Sequence, residues 1–130
     1  MTADDEYKLF MEKSGRFLEN AEENFSKNYP DIAMFSLYQS LELFLKGLLI
    51  SKSGDFPHTH NIGSLLELLK EFVDNMGIDL INRYLEDYSL EISMITDAYT
   101  ASRYFESSYT LNSVNKIIDT VKKIEGDLSV

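Results

Sequence analysis

Residues 32–52, IAMFSLYQSLELFLKGLLISK, decide how the rest of this chain folds. The segment is apolar on most sides of a helix, as expected of a central helix that packs against several neighbours. Its main apolar positions are Leu37, Leu41, Phe44, Leu45, Leu48 and Leu49. Polar residues interrupt it between Ser36 and Lys46, so it is too polar for a membrane-spanning helix of about 20 apolar residues. The segment therefore predicts the core helix of a soluble protein.

Four further apolar stripes flank this helix, each stepping by three or four residues as one face of a helix does. They cover residues 7–25, 62–76, 81–99 and 111–124. We expect Gly77 to end the third helix and Gly126 the last. The short connections at 28–30 and 74–77 indicate antiparallel neighbours. The sequence predicts an all-α fold, an up-and-down four-helix bundle with a shorter fifth helix.

Length and composition limit the class of protein. The chain has 130 residues, which predicts a single domain over residues 1–130. With 22 acidic and 12 basic residues its net charge is −10. Non-specific capture of nucleic acid is therefore not expected, since phosphate neutralisation supplies most of that affinity. The chain has no cysteine, which excludes disulfides, cysteine catalysis and thiolate metal sites.

The start of the chain, MTADDEYKLFMEKSGRF, lacks the basic segment and apolar run of a secretory signal peptide. The absence of cysteine agrees with a reducing compartment. Because residues 32–52 are also too polar to span a membrane, we expect a cytoplasmic protein without a membrane partner.

Three polar residues of the central helix, Gln39, Glu42 and Lys46, are spaced to share one face. Two interpretations are open. Glu42 and Lys46 form an exposed i,i+4 ion pair worth about 0.3–0.5 kcal/mol. Alternatively, the polar stripe is kept inside a helix pair or a dimer interface because it serves a site.

The two histidines, His58 and His60, lie in the turn-rich segment SKSGDFPHTHN. Histidine is a frequent metal ligand, and Asp55 is close enough in sequence to assist. His-x-His supplies only two ligands, however, whereas a structural zinc site needs four and a catalytic one usually three. We expect no metal site and favour a loop histidine that hydrogen-bonds the backbone. Asn61 follows His60 and can cap the next helix.

Arg103 and Tyr104 follow an acidic stretch. Residues 84–102 include four acidic residues and no basic one. Arg103 has two interpretations: it interacts with the helix C-terminus or with Asp97, or its planar guanidinium recognises a phosphate. No glycine-rich phosphate loop, HExxH or GxSxG motif accompanies it.

Taken in order, these segments resemble the HEPN family, the higher-eukaryote and prokaryote nucleotide-binding domain. The resemblance covers residues 11–125. It is carried by LENAEE (18–23), DIAMF (31–35), QSLELFLKGLL (39–49), FPHTHNI (56–62) and ASRY (101–104). The third is similar to the family's Gln-x-x-Glu-Lys-x-x-Lys helix, the fourth to its Pro-x-x-His-x-Leu segment and the fifth to its Ala-Arg-Tyr ending.

The resemblance implies a nucleotide-binding site that includes Glu42. Lys46, Arg103 and His60 would meet the phosphates, and Tyr104 would stack on a base. It also implies a homodimer and a separately encoded minimal nucleotidyltransferase as partner.

The chain departs from the family pattern at two places. Leu43 replaces the lysine that often follows the family's glutamate, which removes one cation from the candidate site. Ribonuclease members carry a histidine shortly after the arginine, but here the corresponding positions are Ser108, Tyr109 and Thr110. These side chains are poor substitutes for a group that exchanges protons near neutral pH.

We therefore expect a non-catalytic nucleotide-binding and assembly module that needs no cofactor. The enzyme alternative is a metal-independent endoribonuclease of the kind found in toxin–antitoxin pairs, with Arg103 stabilising charge and His60 as an off-pattern base. A third alternative is a structural dimer that makes only protein contacts.

The dimer has its own argument in the sequence. The central helix and Tyr84, Tyr88 and Tyr99 of the fourth stripe give more apolar surface than one small bundle readily covers. A two-fold interface is the commonest solution, and it would bring two copies of Arg103 and Tyr104 into one cleft.

Overall fold

The computed structural model describes residues 1–104 and 109–129, with the side chains of residues 102–104 outside the description. These residues form six α-helices and one short 3-10 turn, without a strand. The elements are α1 (Ala3–Ser26), α2 (Pro30–Ser53), α3 (Ile62–Leu69), the 3-10 turn (Lys70–Phe72), α4 (Asn75–Asp87), α5 (Ser89–Tyr104) and α6 (Leu111–Leu128). The prediction of an all-α fold is confirmed.

Helix α2 is the centre of the structure. It contacts α1, α3, α5 and α6, and all six of its predicted apolar positions are buried. By length and composition it is the one helix in the described part of the chain that could cross a membrane. However, 78% of its most apolar window is buried inside the bundle, which is also how the core helix of a soluble protein behaves.

Helices α1 and α2 form a tightly packed antiparallel hairpin. The sequence places a glycine at the closest approach: a Cβ added to Gly47 would lie 2.7 Å from Met11 Cε and 3.2 Å from Phe10 Cβ. The turn between the helices holds Asn28 at φ 62°, and Pro30 starts α2, where its missing N–H costs nothing.

The segment between α2 and α3 is fixed at both of its ends. Gly54, at φ 85°, ends α2 and donates its N–H to Ile50 O at 2.8 Å. Asn61 caps α3 by accepting the Ser64 N–H at 2.9 Å, as predicted. The Ile62 N–H donates to Thr96 Oγ1 of α5 at 3.2 Å. These bonds bring the histidine-containing loop against α5.

Gly77 does not end a helix, contrary to the prediction. Helix α3 stops at Leu69, and Gly77 lies in the first turn of α4, where it donates its N–H to Asp74 Oδ1 at 2.8 Å. Asp74 is thus an N-cap, a role for which aspartate is preferred. Gly126 is not a stop either, because α6 continues to Leu128.

The predicted helix over residues 81–99 is in fact the end of α4 and most of α5. The break falls at Tyr88, whose backbone has φ −113° and ψ 25°. Asp87 and Ser89, on either side, compete with helical hydrogen bonds and favour helix ends. The apolar stripe continues through the break, which is why spacing alone did not reveal it.

Candidate functional site

Glu42 and Lys46 form a buried ion pair on α2. Lys46 Nζ donates to Glu42 Oε1 at 2.6 Å, and the side chains of Lys46 and Glu42 are only 9% and 8% exposed. Lys46 Nζ also lies 5.5 Å from the centre of the Phe56 ring, a cation–π distance. The interpretation as an exposed pair is therefore wrong. Burying two charges is costly unless further hydrogen bonds satisfy them, so such a pair needs additional partners.

The additional partner of Glu42 is His60. His60 Nδ1 lies 2.9 Å from Glu42 Oε1 and 2.7 Å from the Tyr38 hydroxyl. The histidine was expected to bond the backbone, and this is wrong, because the ends of its loop hold the ring over α2, where buried Glu42 needs a donor. His58 instead packs edge-on against Phe56, with ring centres 5.7 Å apart.

This geometry fixes which nitrogen of His60 is available. The carboxylate of Glu42 only accepts hydrogen bonds, so the single Nδ1 proton of His60 goes to Glu42, and the Tyr38 hydroxyl oxygen, 2.7 Å from the same nitrogen, shares it as a second acceptor. In the neutral ring the lone pair is then on Nε2, which has no partner among the described residues. A carboxylate that holds one imidazole nitrogen and leaves the other open is a common way to orient a functional histidine.

Tyr99 of α5 holds the plane of the same ring. The His60 and Tyr99 rings stack with their centres 4.0 Å apart and an angle of 14° between their planes. Tyr38 packs against Tyr99 at 5.4 Å. The imidazole is thus fixed by side chains from α2 and α5, while the histidine side chain remains 47% exposed.

An open cleft of about 550 Å³ lies beside the exposed part of His60. Its walls come from the end of the loop and from the second half of α5. The residues that line it are His60, Asn61, Thr96, Asp97, Tyr99, Thr100 and Ala101. This volume is within the range of ligand-binding pockets. In the described part of the chain, no three histidine, aspartate or glutamate side chains come together as a metal site would require.

Comparison with known protein families matches the HEPN domain over residues 7–128, nearly the whole chain. The chain belongs to the HEPN family. Among solved structures, that of TT1696 from Thermus thermophilus is similar, with a TM-score of 0.74 and 23% sequence identity over 92% of this chain and 93% of that chain. At this identity the similarity concerns the fold. A search of curated proteins found no match.

Two of the HEPN segments named from the sequence, 56–62 and 101–104, contribute residues to the wall of this cleft. Glu42, of the segment 39–49, contacts both Lys46 of α2 and His60 of the following loop. Arg103 and Tyr104 end α5, one helical turn beyond Tyr99 in the wall of the cleft. Their side chains lie outside the part of the chain that the structure describes, so the contacts of these side chains are not described either.

The sequence analysis did not identify Thr96, Tyr99 or Thr100 as residues of the cleft, or Tyr38 as a contact of His60. Asp97 was considered only as a partner for Arg103. The spacing of Tyr38 four residues before Glu42, and of Tyr99 four before Arg103, was the available signal, because residues four apart share a helix face. Asp97 forms no hydrogen bond or ion pair with any described residue.

A second buried polar cluster lies away from the cleft, where α1, α2 and α6 meet. Ser14 Oγ donates to Ser40 O at 2.7 Å, and Ser40 Oγ lies 2.9 Å from Ser14 O and 2.7 Å from Glu125 Oε2. Burial raises the pKa of Glu125 to about 7, although the serine hydroxyls act in the opposite direction. Ser40 belongs to the HEPN segment QSLELFLKGLL (39–49), whereas Ser14 and Glu125 lie outside the segments identified in the sequence.

Proposed function

We propose that this chain is a single, non-catalytic HEPN domain that binds a nucleotide in the cleft beside His60. The observation that carries the proposal is the fixed orientation of His60, which Glu42 and Tyr38 hold at Nδ1. Nε2 lies on the ring edge away from these two partners, the side chain is 47% exposed, and His60 lines the cleft. A protonated imidazole donates from both nitrogens, so Nε2 supplies a charge-assisted hydrogen bond to a phosphate oxygen.

Arg103 and Lys46 complete the proposed phosphate site. Arg103 is the cation nearest to the cleft along α5, and a guanidinium suits bidentate binding of phosphate. Lys46 has N–H donors beyond the one that Glu42 accepts, but its side chain is 9% exposed. In its present position Lys46 therefore contributes charge behind His60, and direct contact with a phosphate requires the loop to move. Tyr104 is the proposed stacking partner of the base.

Isothermal calorimetry with ATP tests this proposal. Wild type is expected to bind at or below millimolar concentration, and His60→Gln to lose about tenfold or more in affinity, as a charged hydrogen bond is worth roughly 1.5–3 kcal/mol. His58→Gln is the matched control, because it removes the other histidine of the same loop. No heat with wild type at millimolar ATP, or equal loss in both variants, would overturn the proposal.

We place this domain in a cytoplasmic homodimer with a minimal nucleotidyltransferase as partner, where it holds the nucleotide or presents a target. The family membership supports this assembly. The apolar surface that was expected to need a dimer partner does not support this assembly. Helix α2 and Tyr84 are buried, and Tyr88 and Tyr99 pack against the core within one chain. Exposed apolar side chains lie instead at the starts of helices, as at Ile32, Leu90 and Leu111.

The second candidate function is metal-independent RNA cleavage of the toxin type. One observation favours it: Glu42 leaves the lone pair of His60 on Nε2, as a general base requires. An RNA cleavage assay with chelator tests it on wild type, His60→Gln and Arg103→Ala. Cleavage by wild type that both variants lose would establish the enzyme, whereas no cleavage by wild type would remove it.

The third candidate is a structural dimer that makes only protein contacts, with Glu42 and Lys46 as an ordinary ion pair. It predicts that Lys46→Met changes stability alone. An accompanying change in nucleotide affinity, in a variant that remains folded, would argue against it.

A further inference from the structure

Asp97 is a carboxylate in the wall of the proposed nucleotide cleft. It is exposed, and no described residue donates a hydrogen bond to it or forms an ion pair with it. A second depression of about 310 Å³ along α5 shares Asn61, Thr96 and Asp97 with the first. Asp97 therefore stands where the two depressions join, in a position that a ligand lying along α5 would have to pass.

The groups around Asp97 define what kind of ligand atom it can take. Asn61 Oδ1 accepts the Ser64 N–H, which leaves its amide N–H groups as donors. Thr96 Oγ1 accepts the Ile62 N–H, which leaves its hydroxyl hydrogen to donate. Both neighbours thus offer donors, whereas Asp97 offers two oxygens that only accept. A ligand group at Asp97 must supply O–H or N–H.

A phosphate is excluded from this position, because a carboxylate repels it and cannot donate to it. Asp97 is six residues before Arg103, about 9 Å along the helix axis. This separation suits a nucleotide whose phosphates lie at the Arg103 end and whose sugar lies one group further along. The ribose 2′- and 3′-hydroxyls are adjacent donors, and a carboxylate has two oxygens with which to accept them.

We infer that Asp97 binds the ribose diol of the nucleotide, so that the cleft takes ribonucleotides in preference to deoxynucleotides. The inference rests on the proposed nucleotide function and adds the sugar class to it. Hydrogen bonds to a charged group are the strong ones, and loss of both hydroxyls should therefore weaken binding by about tenfold or more.

Charge alone and a diol contact predict opposite changes in ATP affinity when Asp97 is removed. The chain carries a net charge of −10 and ATP is a polyanion, so removal of a carboxylate should by charge alone strengthen binding. Loss of a diol contact weakens it instead. Calorimetry with ATP, GTP, 2′-deoxyATP and 2′,3′-dideoxyATP on wild type and Asp97→Ala separates the two effects. Asp79→Ala, an exposed aspartate of α4, is the control for net charge.

The expected result is that wild type binds ATP about tenfold or more tightly than dideoxyATP. Asp97→Ala should lose this preference by binding ATP more weakly, whereas Asp79→Ala should keep it. If wild type binds ATP and dideoxyATP equally, or Asp97→Ala binds ATP more tightly, this inference is wrong and the proposed function stands. If Asp97→Ala alters a preference between ATP and GTP instead, the carboxylate contacts the base and the inference is again wrong. If wild type binds none of these nucleotides, the proposed function itself fails.

Discussion

Glu125→Gln should remove a large part of the pH dependence of stability. The Glu125 carboxyl has a pKa of about 7 in the folded protein against 4.5 as its ordinary value, so the folded state holds its proton more tightly than the unfolded state. Its contribution to the free energy of unfolding is full below pH 4.5 and is lost as pH rises through 7. A shift of this size corresponds to about 3 kcal/mol at about 1.36 kcal/mol for each pH unit.

Burial is the main reason that the proton stays, and the hydrogen bonds from Ser14 and Ser40, which favour the ionised form, offset only part of its effect. Ser14 and Ser40 have one hydroxyl hydrogen each, and each hydroxyl also lies within 2.9 Å of the other residue's backbone carbonyl. A hydroxyl hydrogen that goes to a carbonyl is not available to the carboxylate, so the bond from Ser40 Oγ to Glu125 Oε2, 2.7 Å long, compensates the buried charge only in part. A protonated Glu125 carries no charge and needs no such compensation. Glutamine likewise carries no charge.

Urea unfolding of wild type and Glu125→Gln across this pH range measures the effect. The difference in unfolding free energy between the two proteins should change by about 3 kcal/mol over the range from pH 4.5 to 7, with the variant relatively more stable at the high end. Glu19→Gln, an exposed glutamate of α1, is the control and should run parallel to wild type. Parallel curves for wild type and Glu125→Gln would refute the reasoning.

Three further predictions concern the ion pair, the glycines and the assembly. Lys46→Met leaves Glu42 buried without its cation and should lower the free energy of unfolding by roughly 3–5 kcal/mol, with weaker ATP binding in the folded fraction; unfolding and calorimetry measure the two effects. Gly15→Ala, at a helical site where nothing crowds the new Cβ within 4 Å, should stabilise the protein by about 0.5–1 kcal/mol. Gly47→Val should destabilise it by about 1–3 kcal/mol, because the new side chain overpacks against Met11. Urea unfolding measures both changes. Light scattering at micromolar concentration should give about twice the chain mass of 15.0 kDa, and a value equal to the chain mass would contradict the dimer.

The central helix was predictable because its apolar composition by itself indicates burial. Residues apolar on most sides can lie only where several neighbours cover them, and α2 is covered by α1, α3, α5 and α6. The break at Tyr88 was not predictable in this way. It lacks proline and glycine, and the apolar spacing continues across it, so Asp87 and Ser89 give only a weak local signal that α4 ends there.

The candidate site was also predictable only in part. Glu42, Lys46 and His60 were identified from motif spacing, but spacing could not say that one oxygen of Glu42 serves both Lys46 and His60 or that the ion pair is buried. Tyr38 and Tyr99 carried no functional signal in the sequence, because aromatic side chains on an apolar stripe usually pack in the core, as Tyr38 also does. Their contact with His60 depends on the loop folding back against α5, which is a long-range event that local sequence does not encode.

Imidazole NMR during an ATP titration tests the central claim most directly, because the chain has only two histidines. His60 and His58 each give one ring Cε1–H signal, and His58→Gln assigns them. Saturating ATP is expected to shift the His60 signal and to leave that of His58 nearly unchanged. ATP binding that leaves the His60 signal in place, or shifts only His58, would contradict the assignment of the cleft beside His60 as the nucleotide site.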